Sequence, residues 1–293
     1  MIPYDAHIHM VLDGDDWKAA LARHAQVPDE AFVRSTLAEY ASRGCTYLRD
    51  GGDKHGAGAF AARIASEYGI EYSTPVLPLH MRGNYGSFIG CAFDDLEGCK
   101  ALVDSSIEAG ATFIKVMFTG ILDFNEFGTL TGYALDGELM EAIISYAHGK
   151  GLAVMAHANG AQAVKDAAEA GVDSIEHGYY TDAAAREALA RSGTIWVPTL
   201  APICNLIGTG RFPDEVLERI KASHIEALRD AASRGVTIGC GSDAGAACVH
   251  HGQAAIDEYA LLREALGDST DELLAKGLET LRERFPGVKR NTR

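Results

Sequence analysis

Two histidines near the N-terminus, His7 and His9, stand two residues apart in the stretch Ile2 to Met10, which predicts a β-strand. Because successive side chains of a strand point to opposite faces, both imidazoles lie on the same face. Two imidazoles on one face are half of a four-ligand metal site. Solvated or packed histidines would give the same spacing, so the motif needs support from the rest of the chain.

Four further polar residues stand at the ends of later apolar runs. They are Lys115 within 112–117, His157 after 152–156, His177 after 173–176 and Asp243 after 236–241. With the first two histidines they provide five nitrogen or oxygen donors and one lysine. Ionisable side chains are seldom fully buried unless they are paired, so the pattern indicates a metal site and not core filling.

Short apolar strands alternate with helices along the chain. The predicted strands are 2–10, 45–50, 70–77, 112–117, 152–156, 173–176, 194–199 and 236–241, and the predicted helices are 28–43, 56–68, 94–109, 136–150, 161–170, 182–191, 213–234 and 253–285. Glycine marks seven of the returns from helix to strand, as is common at helix ends. This alternation predicts parallel βαβ units.

Eight such units are the number that closes a (β/α)₈ TIM barrel. We predict this α/β fold as a single domain over residues 1–293, with 253–293 as C-terminal helices and tail. A doubly wound open sheet is the alternative, but no Gly-x-Gly-x-x-Gly motif opens a helix. In a barrel the last strand lies beside the first, so Asp243 would meet His7 and His9. All six residues would lie at the carboxyl ends of the strands, where barrel enzymes form their sites.

The composition predicts a soluble, cytoplasmic protein. Apolar residues make up 47% of the chain and charged residues 23%, as in a globular protein with a sizeable core. The formal charge of −15 argues against nucleic acid or a membrane surface as partner. No apolar run reaches the roughly 18 residues of a membrane span, and no signal pattern is recognisable. The six scattered cysteines are predicted to be reduced thiols.

Together these motifs resemble the amidohydrolase superfamily, in its binuclear subtype with a carboxylated lysine. The markers are Asp5-x-His7-x-His9, Lys115, His157, His177 and Gly241-Ser242-Asp243. Lesser features are similar to the imidazolonepropionase and Xaa-Arg or Xaa-Pro dipeptidase branch, namely Arg49-Asp50-Gly51-Gly52, Glu176-His177-Gly178, Pro198-Thr199-Leu200 and His251-Gly252. Typical members of this branch carry a β-sandwich on either side of the barrel, and both halves are expected to be absent here.

The resemblance implies two divalent metal ions, expected to be zinc. His7, His9 and Asp243 would hold one ion, His157 and His177 the other, and Lys115 would bridge them as N6-carboxylysine. A hydroxide between the metals would be the nucleophile, one metal would polarise the substrate carbonyl, and Asp243 would carry the proton to the leaving nitrogen. A buried lysine paired with Asp or Glu is the structural alternative for Lys115.

The residues after His157 narrow the reaction. Hydrolytic deaminases of the superfamily carry a glutamate three residues after this histidine and lack the bridging lysine, whereas this chain has Gly160 at that position together with Lys115. Hydrolysis of a C–N bond in an amide, cyclic amide or dipeptide is therefore favoured over deamination. The alternative hypothesis is hydrolysis of a lactone or ester at the same site. A third hypothesis is a non-catalytic barrel that acts as a binding module.

Four loop residues are candidates for contacts with a small-molecule substrate. His80, Arg82 and Tyr85 lie in the loop after the third strand, and His251 follows Asp243. Arg82 and Tyr85 could bind a substrate carboxylate. The apolar surface that a β-sandwich would otherwise cover also predicts a homo-oligomer.

Overall fold

The computed structural model of the chain describes residues 4–287, so the predictions for residues 2, 3 and 288–293 lie outside the described residues. The strands are β1 (Tyr4–Ile8), β2 (Tyr47–Asp50), β3 (Glu71–Ser73), β4 (Pro78–Met81), β5 (Cys91–Phe93), β6 (Ile114–Met117), β7 (Val154–Ala158), β8 (Ser174–His177), β9 (Ile195–Val197) and β10 (Thr237–Ile238). The α-helices are α1 (Trp17–Arg23), α2 (Glu30–Ser42), α3 (Ala57–Ile64), α4 (Leu96–Glu108), α5 (Gly137–Gly149), α6 (Ala161–Glu169), α7 (Ala183–Ser192), α8 (Ala201–Cys204), α9 (Asp214–Ser233), α10 (Gln253–Leu266) and α11 (Thr270–Arg284).

The strands form two parallel sheets. The first has the order β1-β2-β3, and the second has the order β10-β9-β8-β7-β6-β4-β5. From β6 to β10 every connection between neighbouring strands passes through a helix, as parallel pairing requires. Strands β6 to β9 are buried along their whole length, which explains why they read as apolar runs without alternation.

Hydrogen bonds join both edges of the first sheet to the second sheet. Ala6 N donates to Cys240 O at 2.8 Å, and Asp243 N donates to His7 O at 2.7 Å, so the segment after β10 lies along β1. At the other edge Thr112 N donates to Thr74 O at 2.9 Å, which connects the end of β3 to the segment before β6. The strands therefore follow one another around a ring, and the last lies beside the first, as the sequence predicted.

The third predicted strand, 70–77, is interrupted in the structure. β3 ends at Ser73, β4 begins at Pro78, and Val76 between them has φ of +59°, which a valine rarely adopts. β3 pairs with β2, whereas β4 pairs with β6 through Pro78 and Lys115. The predicted strand was too long, since residues 74–77 belong to neither β3 nor β4.

Aspartates cap the N-termini of several helices. Asp29, Asp95, Asp136 and Asp182 accept hydrogen bonds from the first turns of α2, α4, α5 and α7. Such caps satisfy amides that have no partner inside the helix. The unpredicted helix α1 begins in the same way, since Asp16 accepts from Lys18 N at 2.9 Å. Its length of 7 residues is too short for a clear periodic pattern.

Two large apolar clusters fill the fold. One surrounds Trp196 and Phe113 between the second sheet and its helices, and the other packs Tyr40 and Leu48 between the first sheet, α2 and α3. Among residues 4–287 no helix is both long enough and apolar enough to cross a membrane. The clusters hold the carboxyl ends of the strands in fixed positions around a common cavity.

Candidate active site

Three ligating side chains meet where β1 ends. The ligand atoms of His7, His9 and Asp243 lie within 4.8 Å of one another, and no other such group of His, Cys, Asp or Glu occurs within residues 4–287. Asp243 Oδ1 lies 3.4 Å from His7 Nε2 and 3.2 Å from His9 Nε2. A Cβ at Gly51 would lie 2.5 Å from the His9 ring, so this glycine leaves the space that the ring occupies. The arrangement is a candidate metal site.

His157, His177 and Lys115 lie beside this group. The ring centroids of His7 and His177 are 5.0 Å apart, and those of His177 and His157 are 4.6 Å apart. The register of β7 and β8 pairs His177 with Ala158, one residue from His157. All six residues predicted as metal ligands line one cavity at the carboxyl ends of the strands. The structure therefore brings the complete predicted set together.

In three of these histidines one ring nitrogen is held by a protein group. His7 Nδ1 lies 2.8 Å from Glu176 Oε2, His177 Nδ1 lies 2.8 Å from Thr199 Oγ1, and His157 Nε2 lies 3.0 Å from Gly120 O. A neutral imidazole that donates from one nitrogen keeps a lone pair on the other. The free nitrogen of His7, Nε2, is buried and makes no hydrogen bond. Imidazoles oriented in this way are suited to bind a metal.

Lys115 is 1% exposed, and its Nζ has no hydrogen-bond partner. The ion pair with Asp or Glu that was the structural alternative does not occur within the described residues. Burial lowers the pKa of this amine to about 8, although Glu176 opposes the shift. The amine is therefore neutral more often than that of an exposed lysine, and the neutral amine is the form that reacts with CO₂.

The backbone is strained where several strands end. The φ angles of His177, Thr199 and Asp243 are +70°, +49° and +59°, in the left-handed region that glycine favours. Thr199 is β-branched, which makes this conformation still less favourable. Conformations of this kind persist only where surrounding contacts enforce them. Here Asp243 N donates to His7 O, and Thr199 O accepts from Tyr179 Oη at 2.8 Å.

A buried ion pair stands behind His7. Arg49 Nη2 donates to Glu176 Oε1 at 2.7 Å, and its Nε donates to Ala6 O at 2.7 Å. Burial alone would raise the pKa of the Glu176 carboxyl, but Arg49 and His7 together lower it to about 2. Glu176 therefore stays ionised and fixes the orientation of His7. Both residues belong to motifs seen in the sequence, yet no spacing predicts their contact between β2 and β8.

Replacement of Arg49 by methionine is expected to lower the free energy of unfolding by about 3–5 kcal/mol, because Glu176 would become a buried charge without a partner. Urea unfolding at neutral pH measures the change. The matched double variant, Arg49→Met with Glu176→Gln, removes that charge as well and should recover part of the loss. A loss of less than about 1 kcal/mol in the single variant would contradict a buried, ionised pair.

Burial also keeps several histidines neutral. It lowers the pKa of His7 and of His224 to about 4, lowers that of His157 to about 3, and lowers those of His177 and His251 as well. In the unfolded chain these imidazoles take up protons near pH 6.5. Below that pH the unfolded state binds more of these protons, so the histidines destabilise the fold. The raised pKa values of the buried Asp5, Asp50 and Glu258 act in the opposite direction, but these acids are fewer.

We therefore expect the free energy of unfolding of chelator-treated protein to fall as the pH is lowered from 6.5 to about 4. Each such histidine contributes up to about 1.4 kcal/mol per pH unit. His224 does not line the cavity and stacks on Tyr179 with ring centroids 3.8 Å apart. His224→Gln should therefore reduce the slope of the free energy of unfolding against pH by the contribution of about one proton. Denaturant titrations at a series of pH values test this, and an unchanged slope in the variant would contradict it.

The cavity over these residues has a volume of about 450 Å³, which is typical of a site for a small molecule. Much of its wall beyond the strand ends is apolar and aromatic, and includes Trp17, Phe88, Phe124, Ile203 and Phe212. No single stretch of the sequence contains this wall, because its members come from α1, α8 and three separate loops. It favours a substrate with a bulky apolar group.

Of the four residues predicted to contact substrate, Tyr85 is the one that lines the cavity, with its ring 4.9 Å from that of His157. The other three do not line it. Arg82 is 64% exposed in its side chain and pairs with Asp94, His80 Nδ1 lies 3.0 Å from Met81 O, and His251 lies between Tyr40 Oη and Leu12 O. His80 lies on β4 and not in a loop. For Arg82 and His251, the predicted position at the carboxyl ends of the strands did not determine where the side chain points.

Parallel strands with ligating side chains gathered at their carboxyl ends define a class of α/β enzymes that includes the TIM-barrel hydrolases. The profile of the Amidohydrolase family matches residues 2–276. The chain belongs to this family.

Solved structures of the same fold include hydrolases. The chain is similar to an ochratoxinase of A. niger, with a TM-score of 0.77 and 22% identity over 97% of this chain and 72% of the other. A Xaa-Pro dipeptidase with bound methionine in its active site gives a TM-score of 0.73 and 22% identity over 98% of this chain and 77% of the other. A prolidase complexed with N-methylphosphonate-L-proline gives a TM-score of 0.68 and 24% identity over 96% of this chain and 71% of the other. At these identities the likeness concerns the fold.

Among curated proteins, an uncharacterized protein of Mycobacterium tuberculosis (strain ATCC 25618 / H37Rv) is 34% identical over 148 residues. The match covers 44% of this chain and 38% of that protein, so it spans well under half the length of this relative.

Proposed function

We propose that this enzyme hydrolyses the carbon–nitrogen bond of an amide, cyclic amide or dipeptide in a small molecule, with two divalent metal ions at its active site. The observation that carries the proposal is the gathering of His7, His9, Lys115, His157, His177 and Asp243 around one cavity at the carboxyl ends of the strands. Imidazole and carboxylate are ligands typical of zinc in hydrolases.

The donor set fits two ions. We assign His7, His9 and Asp243 to the first, because their ligand atoms already lie within 4.8 Å of one another. We assign His157 and His177 to the second, which has no Asp or Glu side chain of its own. Lys115 carries no negative charge as a free amine, but as N6-carboxylysine it would offer two oxygens to share between the ions. Its buried Nζ without a hydrogen-bond partner supports this assignment.

When bound, the metals would supply a Lewis acid for the substrate carbonyl and the positive charge that makes water acidic near neutral pH. The side chain of Asp243 is 14% exposed and lines the cavity, so it can accept the proton of the attacking water and pass it to the leaving nitrogen. Glu176 keeps His7 in one tautomer. Tyr85 and the apolar wall hold the uncharged part of the substrate and exclude water.

The names of two structural relatives, a Xaa-Pro dipeptidase and a prolidase, refer to peptide substrates and favour amides over lactones for this chain. The leaving group of an amide, an amine, depends on protonation more strongly than the alkoxide of a lactone does. Asp243 is placed to deliver this proton.

The proposal is tested by metal analysis of the purified protein together with a panel of amides, dipeptides and lactones. We expect about two divalent ions per chain and turnover of amides. Turnover of lactones without turnover of amides would identify an ester hydrolase instead. A protein that binds no metal and hydrolyses nothing would support the non-catalytic barrel.

A further inference from the structure

Arg211 lies at the edge of the cavity in the loop between α8 and α9. Gly208 and Gly210, with φ of +79° and +71°, turn this loop, and Gly208 N donates to Asp214 Oδ1 at 2.8 Å. The next residue, Phe212, lies with its ring centroid 5.0 Å from that of Phe124. The loop is therefore anchored on both sides of Arg211, although the arginine itself is exposed.

Arg211 and Lys115 are the two lysine or arginine side chains in the cavity wall. Lys115 is buried at the strand ends, whereas Arg211 is exposed and shares the cavity wall with apolar residues such as Leu206 and Trp17. Within residues 4–287 the Arg211 guanidinium is in none of the ion pairs, which separates it from Arg82, Arg186 and Arg234. An arginine that faces an apolar cavity without an acidic partner is free to bind an anion of the ligand.

A second cavity, of about 390 Å³, adjoins the first and shares Trp17, Arg211, Gly245 and Ala247 with it. Its wall also contains Asp15, Asp16 and Lys18. Because two carboxylates lie there beside one ammonium, a dianion such as a phosphate ester would be repelled more strongly than a monoanion. Among anions, the surroundings of Arg211 therefore favour a monoanion such as a carboxylate over a dianion.

We infer that Arg211 determines specificity by binding a carboxylate of the substrate, and that the substrate joins this carboxylate to a bulky apolar or aromatic group held by the cavity wall. This inference rests on the proposed amide hydrolysis and names its substrate class, an N-acyl amino acid or a similar amide acid. Arg211 acts in binding and does not take part in the chemical step.

The test uses two ligands that differ only in the carboxylate and contain no hydrolysable amide, N-benzenesulfonyl-L-phenylalanine and N-benzenesulfonyl-phenethylamine. Isothermal titration measures their binding to the purified protein. We expect the wild type to bind the acid about tenfold more tightly, as a charge-assisted hydrogen-bond pair would provide. Arg211→Met should abolish this preference and Arg211→Lys should keep part of it. The matched control is Arg219→Met, an exposed arginine on α9 outside the cavity wall, and it should leave the preference unchanged.

The inference is overturned if the wild type shows no preference for the acid, if neither ligand binds, or if the preference survives in Arg211→Met or disappears equally in Arg219→Met. Hydrolysis of N-benzoyl-L-phenylalanine is measured in parallel. If the acid binds through Arg211 but no amide is hydrolysed, the proposed function fails and the carboxylate site stands. If amides are hydrolysed without any effect of Arg211, the proposed function stands and this inference fails.

Discussion

Lys115→Ala is expected to reduce hydrolysis by about a thousandfold or more and to lower the metal content below two ions per chain, while the barrel remains folded. The proposed carbamate replaces a positive charge by a negative one between two dications. The metals would stabilise the carbamate and the carbamate would hold the metals, so both should be lost together. Turnover of an amide substrate, metal analysis and circular dichroism of the same preparation measure the three effects.

Short carboxylic acids added with metal should partly restore activity to Lys115→Ala, because they can occupy the space left by the carbamate. His157→Ala should lose metal without such rescue, since a carboxylate does not replace a nitrogen ligand at that position. Lys165→Ala, at a lysine on α6 that does not line the cavity, is the control and should behave as wild type. If Lys115→Ala keeps two metals and near-normal turnover, a single ion on His7, His9 and Asp243 becomes the better assignment.

Asp243→Asn is expected to lower kcat by roughly a thousandfold, since this residue is both a proposed metal ligand and the proposed carrier of the proton. Asparagine tolerates the left-handed conformation of this residue, so the fold should be retained. Loss of proton delivery should slow alkyl amides more than p-nitroanilides, because nitroaniline leaves readily without full protonation. Rates for both substrate types separate this role from metal binding.

The matched control for Asp243→Asn is Asp166→Asn, at an aspartate on α6 outside the cavity wall, which should have no effect. An equal reduction for alkyl amides and p-nitroanilides in Asp243→Asn would mean that the residue serves as a metal ligand without moving the proton. Near-normal turnover of both would exclude Asp243 from the chemistry.

The order of strands and helices could be predicted, because parallel strands buried on both faces leave long apolar runs that glycine and helices separate. Helix α1 could not be predicted, since it is short and its start depends on one cap at Asp16. The break at Val76 was also invisible, since its backbone conformation is imposed by pairing with two different strands. A local apolar pattern predicts that a strand exists, whereas the point at which the strand ends depends on the strands that pair with it.

The gathering of the six side chains around one cavity could be predicted, because barrel closure places strand ends together whatever their distance along the chain. The contacts that hold these side chains in place could not be predicted. The pairing of Arg49 with Glu176 depends on side-chain direction between distant strands. The outward orientation of Arg82 follows from the nearby Asp94, which offers it a bidentate partner.

The left-handed backbone of His177, Thr199 and Asp243 has a consequence for the way such a sequence can evolve. Each conformation costs of order 1–3 kcal/mol that the fold must supply elsewhere. A lineage that no longer needed the reaction would gain stability from glycine or asparagine at these positions, so they would be among the first to drift. At these three positions the stability of the fold and the proposed reaction therefore make opposite demands on the sequence.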